Sequence, residues 1–341
     1  MENSNSVSGQ RLDVYNRLQI GLAIPAHPLA LMDNGRLDEK HQRALTRYYL
    51  AAGAGGLAVG VHTTQFAIRE HGLFKPVLEL AMETARGTSL GPVMIAGACG
   101  DVRQAVAEAE LAASLGYDAV LLSPGGLSIL SETDMTRRTI AVGEVLPVIG
   151  FYLQPDVGGR RFSLNYWRSI FELECIVGVK VAPFDRYLSQ EVERALAESG
   201  NNGRIALYTG NDDNIVNDLI GPYVGGLLGQ WAVGTRFAVE LIGKIKRCKQ
   251  LGSVPFDILK LSHAYTDINL ALFDVNNGFA GCIAGIHEIL FSQGLLGGVR
   301  CLDENEILSP GQREEIDRVL KVYGPLFDNE FIEQNLDNWL R

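Results

Sequence analysis

Residues 176–183 read IVGVKVAP, an apolar run broken by a single lysine, Lys180. A run with no polar alternation is buried on both faces, as in the central strands of a parallel sheet. Seven more runs have the same character: QIGLAIPA (19–26), GLAVGV (56–61), PVMIAGAC (92–99), DAVLLSP (118–124), PVIGFYLQ (147–154), IALYTG (205–210) and GGLLGQ (225–230). Stretches with helical spacing lie between them, among them Asp38–Ala52, Val102–Leu115, Glu132–Gly143 and Leu188–Ser199. Asp101 stands where an N-cap belongs and Gly116 where a helix-ending glycine belongs. Eight buried strands, each followed by a helix, count as an α/β chain of the TIM (β/α)8 barrel class. The competing doubly wound sheet lacks its usual mark, because no GxGxxG follows the first strand.

The rest of the chain fits around that count. A 341-residue chain with 47% hydrophobic and 21% charged residues has the material for a large core and is not a disordered chain. Thirty basic against 40 acidic residues give a net charge of −10, which argues against a nucleic-acid surface. No run approaches 18 apolar residues, so no membrane span is expected. The division expected is a polar N-terminal segment over 1–18, a barrel over 19–250 and a helical extension over 251–341. That extension is broken at Gly252–Pro255, Asn276–Gly278 and Ser309–Pro310, and extensions of this kind often support oligomer contacts. The first 18 residues lack the apolar stretch of a signal peptide. Five scattered cysteines without a CxxC pair suit reduced thiols, so a cytoplasmic location is expected.

Barrel enzymes carry their reactive groups at the C-terminal strand ends. Lys180 is the residue most out of place there. Burial disfavours an ammonium, and the neutral amine it leaves is a nucleophile toward carbonyls; the plainer alternative is a lysine that reaches water or pairs with an acid. Tyr152, in GFYLQP, offers a phenol for proton transfer or simply an aromatic for packing. Thr63 and Thr64, in VHTTQF, can hold a carboxylate or serve as ordinary strand residues.

Taken in order, these positions resemble the dihydrodipicolinate synthase / N-acetylneuraminate lyase family of class I aldolase-type barrels. The opening AIPAHPLALMDNGRLDEK (23–40) is similar to that family's first unit, with its DxGxxD turn at Asp33–Asp38. The family's GTTGE appears as HTTQF, its YNxP as YLQP (152–155), its GxK as GVK (178–180) and its GDD-like turn as GNDD (210–213). The tail GVRCLDENEILSPGQREEIDRVLKVYG (298–324) is similar to its C-terminal helices.

The resemblance implies a Schiff base between Lys180 and a 2-keto acid, with Tyr152 relaying the proton. Thr63 and Thr64 would hold the carboxylate, and Gly210 would belong to the substrate site. It implies no cofactor and no metal, and a dimer or tetramer.

Several positions depart from the pattern. SPGGLSIL (123–130) has Gly125 and Gly126 where aromatics are expected, and Gln65 and Phe66 replace the second glycine and the glutamate of GTTGE. His62 replaces that loop's first glycine and His27 a threonine; both are possible acid–base groups. The arginine that commonly follows YNxP is Arg160 or Arg161. Trp231 is a further possible pocket wall. FDVNNG (273–278) and DDNIVND (212–218) lack the order of a calcium loop. The function expected is a lyase, aldolase or hydro-lyase acting on pyruvate or a related 2-keto (sugar) acid. The alternative is a weakened relative that binds a keto acid as a sensor or partner.

Overall fold

The computed structural model describes the backbone of residues 2–86 and 91–341, and side chains from residue 9 onward within those ranges. Eight parallel strands follow one another around the sheet: β1 (Ala23–Pro25), β2 (Gly56–Val59), β3 (Val93–Ala98), β4 (Ala119–Leu122), β5 (Val148–Leu153), β6 (Ile176–Ala182), β7 (Ala206–Thr209) and β8 (Gly225–Leu228). β1 pairs with β8, with Ile24 opposite Leu227. The last seam, between β1 and β2, is closed by a single bridge at Ala26 and Ala58, where His27 N donates to Ala58 O at 2.8 Å. The sheet is thus the expected barrel. Its buried strands show why the sequence runs are apolar without alternation: one face fills the cylinder and the other meets the helices.

The helices are α1 (Glu2–Gln19), α2 (Glu39–Ala51), α3 (Phe74–Ala85), α4 (Val102–Leu115), α5 (Glu132–Gly143), α6 (Leu164–Phe171), α7 (Arg186–Ser199), α8 (Ile215–Ile220), α9 (Thr235–Leu251), α10 (Phe256–Leu272), α11 (Cys282–Ser292), α12 (Gln312–Tyr323) and α13 (Asn329–Trp339). α4 and α5 have the bounds read from the sequence. Asp101 Oδ1 accepts from Gln104 N at 2.9 Å, and Gly116 ends α4 at φ +91°. Ser131 caps α5 through Asp134 N. These side chains satisfy backbone donors that a helix start leaves without partners.

The N-terminal stretch has a place in the fold that its polar composition does not announce. Read as a polar segment, it forms α1, which closes the floor of the barrel. Val14 and Leu18 are fully buried among the interior strand residues, and Tyr208 Oη donates to Leu18 O at 2.7 Å. Val14 and Leu18, four positions apart, suffice for this contact, and so short a stripe leaves little periodicity in the sequence.

The C-terminal helices also do more than extend the barrel. Leu272, Ile286 and Ile289 belong to the same continuous core as Tyr48 and Tyr49 of α2. Asp328 joins the two regions. Its carboxylate accepts from Arg236 N and Phe237 N at the start of α9, and from Tyr48 Oη at 2.8 Å. The segment between α10 and α11 lies over the barrel mouth and brings Phe273, Phe279 and Cys282 to the same cavity as Lys180. Among the described residues no helix is long and apolar enough to cross a membrane.

Candidate active site

A cavity opens at the C-terminal ends of the strands, with about 570 Å³ of free space that is partly open to solvent. Lys180, on β6, projects into it and is 8% exposed. Its stem lies against Gly210, where an added Cβ would stand 2.5 Å from Lys180 Cε. Gly210 is therefore needed for the room it leaves. Lys180 Nζ sits 4.6 Å from the ring centroid of Phe151. Burial pushes the ammonium below the usual lysine range, and the carboxylate of Asp212 pulls it partly back.

Asp212, in the turn after β7, lines the same cavity and accepts from Gln230 N at 2.9 Å. Burial pushes its carboxyl up, while the Gln230 N–H and the Lys180 charge restrain the rise. His62 also lines the cavity. Burial and the nearby lysine hold its imidazole down at about 4, so it is neutral at pH 7. Thr63 turns toward the cavity with only a long contact, 3.4 Å, from its hydroxyl to His27 O. Cys282, at the start of α11, contributes a thiol whose pKa burial raises, so it stays protonated.

The structure brings together Lys180, Thr63, His62 and Gly210 from the positions expected, and it separates the others. Tyr152 is the main correction. Register partners on parallel strands share a face: Phe151 stands opposite Lys180, and Tyr152 opposite Val181. Tyr152 therefore points out of the barrel, fully buried against Phe162 and Trp167, with its Oη accepting from Phe162 N at 3.3 Å. The aromatic beside the amine is Phe151, which has no hydroxyl.

Thr64 is fully engaged in its own turn. Its Oγ1 donates to His27 O at 2.6 Å and accepts from Gly60 N and Val61 N. His27 is buried between the barrel and α2, with Nε2 2.8 Å from Thr46 Oγ1 and its pKa held at about 4 by burial. Arg160 ties the Ser123–Leu130 loop through Leu127 O at 3.1 Å, and Arg161 is exposed. Trp231 is buried in the core shared by α9 and α10.

Gln65, where the family pattern has glycine, adopts the left-handed φ of +66° that glycine accepts freely. A hydrogen bond of 2.6 Å from Leu302 N to its Oε1 holds it and ties the site loop to the C-terminal region. Among the described residues no three His, Cys, Asp or Glu side chains gather as a metal site.

Residues 22–248 match the model of the dihydrodipicolinate synthetase family. The chain belongs to that family. As a dihydrodipicolinate synthetase family member it is a Schiff-base, class I aldolase-type lyase. It is 25% identical over 238 residues to N-acetylneuraminate lyase of Citrobacter koseri, covering 69% of this chain and 74% of that one. It is 26% identical over 272 residues to N-acetylneuraminate lyase of Clostridium perfringens, covering 78% and 86%. Dihydrodipicolinate synthase from Oceanobacillus iheyensis superposes with a TM-score of 0.76 at 20% identity, over 91% of this chain and 99% of that one. At that identity the likeness is one of fold.

Sequence reasoning missed Phe151, Asp212 and the C-terminal contributors. Asp212 stood inside the quoted GNDD turn, and its position two residues past the Gly210 that packs Lys180 was the usable signal. The residues from α10 to α11 gave no signal, because their approach to the mouth is set by packing of distant elements.

Proposed function

We propose that Lys180 is the amine that forms the Schiff base, and that the substrate is pyruvate or a 2-keto acid that yields or consumes it. The observation that carries this reading is one buried lysine, with its ammonium disfavoured, in the cavity at the strand ends. An ordinary lysine is about 0.04% neutral at pH 7, and each unit of downward shift raises that fraction about tenfold. The neutral amine adds to the ketone, water leaves, and the protonated imine draws the electron pair of the bond being broken. Thr63 is suited to the keto acid's carboxylate. With Phe151 at the position facing the lysine, the proton relay falls to Asp212 and His62, two cavity groups whose ionisation is linked to the Lys180 charge.

Five unpaired cysteines support a reducing compartment, and we further propose that the chain self-associates.

Borohydride reduction in the presence of pyruvate tests the central point. The expected outcome is a mass increase by the reduced substrate, mapped to Lys180 and lost in Lys180→Ala. A folded protein that gives no adduct with pyruvate or any of a panel of 2-keto acids, sugar acids included, overturns the reading.

A further inference from the structure

The cavity is lined mostly by apolar side chains. Lys180, His62, Thr63, Asp212 and Gln154 supply its polar groups, whereas Phe184, Phe273, Phe279, Leu153 and Val157 line it together with Phe151. These apolar residues come from separate places: β5 and the turn after it, the loop after β6, the end of α10 and the approach to α11. Phe184 and Phe279 meet edge to face, 5.9 Å between centroids. Both hold a left-handed backbone, at φ +52° and +66°, a conformation that bulky side chains rarely adopt and that glycine or asparagine adopts more readily. Two strained phenylalanines facing one another in the cavity lining mark a constraint on what it accommodates.

We propose that the group carried by the keto acid beyond its reacting bond is apolar, an aryl or branched alkyl substituent, rather than a chain of hydroxyls. A polyhydroxylated chain placed against phenylalanine, leucine and valine would leave buried hydroxyls without partners. A flat ring would instead stack or meet the rings edge to face. The inference rests on the Schiff-base reading of Lys180. For a 4-hydroxy-2-keto acid the 4-hydroxyl loses its proton and the C3–C4 bond breaks. An apolar aldehyde leaves, and the bond's electron pair passes into the imine as an enamine. Protonation at C3 and hydrolysis by water then release pyruvate and return the free amine. In the reverse direction the same site joins pyruvate to an apolar aldehyde.

The test uses the whole protein with pyruvate and either benzaldehyde or N-acetylmannosamine, following the aldol product by mass spectrometry. The expected result is kcat/KM at least tenfold higher for benzaldehyde. In Phe184→Asn and Phe279→Asn that ratio falls at least tenfold, with borohydride trapping of pyruvate on Lys180 still detected. Asparagine suits the left-handed backbone, so these variants keep the fold; Phe184→Leu, which keeps the wall apolar, retains most of the preference. Pyruvate trapped on Lys180 together with equal or better use of the polyhydroxylated aldehyde overturns this inference and leaves the Schiff-base reading standing. No trapping with any keto acid overturns both.

Discussion

Burial acts on Lys180 and Asp212 in opposite directions on the charge scale but toward the same end, the neutral form of each. The amine is thereby readied for attack, and the carboxyl is brought toward a range where it can give and take a proton near neutral pH. The coupling has a testable sign. The Asp212 carboxylate favours the ammonium, so Asp212→Asn is expected to lower the apparent pKa of Lys180 further, by about one unit for an opposite charge removed at close range. Competitive labelling of the amine by fluorodinitrobenzene across a pH series, read by peptide mass spectrometry, measures this directly. Labelling at neutral pH should rise in the variant, with the difference appearing only above the pH at which Asp212 ionises in the parent protein. An unchanged apparent pKa would show that the two groups do not act on one another, and a higher one would reverse the sign of the coupling. Lys180 was legible in the sequence because a charge among valines contradicts its surroundings. Asp212 was less so, since an acid in a polar turn is ordinary until the turn is folded over a lysine.

At the scale of elements, β5 shows where one-dimensional reading stops. Helix ends carry their own chemistry, as Asp101 and Gly116 do for α4, which is why that helix could be bounded from sequence alone. A strand buried on both faces carries no alternation, so VIGFYL does not say whether Phe151 or Tyr152 faces inward. Pairing with β6 decides it. The ladder shifts by one residue between Val148 and Ile149, and beyond that point Phe151 stays level with Lys180. A single-residue change of register reverses the face that every side chain presents. Tyr152→Phe therefore separates the two placements. Borohydride trapping on Lys180 is expected to stay within twofold of the parent. Denaturant unfolding should show a loss of about 1 kcal/mol, because Phe162 N–H loses its acceptor. A large fall in trapping at unchanged stability would return the phenol to the reaction.

For the molecule as a whole, the cavity's lining residues run from Ala26 to Cys282 within one chain, barrel and C-terminal region together. Self-association is thus not required to complete the wall described here, and it must be argued from the surface. At the junction of α9 and α10, Leu251 is 78% exposed and Phe256 71% exposed, with Leu259 partly exposed one turn later. Scattered apolar residues on a surface are ordinary, but three large exposed ones within nine positions are where we propose that a second copy docks. Light scattering over a concentration series is expected to give a mass that is a multiple of 37.1 kDa. Phe256→Lys combined with Leu259→Lys should shift it to the single-chain value while pyruvate trapping on Lys180 persists. A parent protein at 37.1 kDa at every concentration would end the proposal of self-association. Loss of trapping on dissociation would instead mean that a neighbouring chain reaches the site.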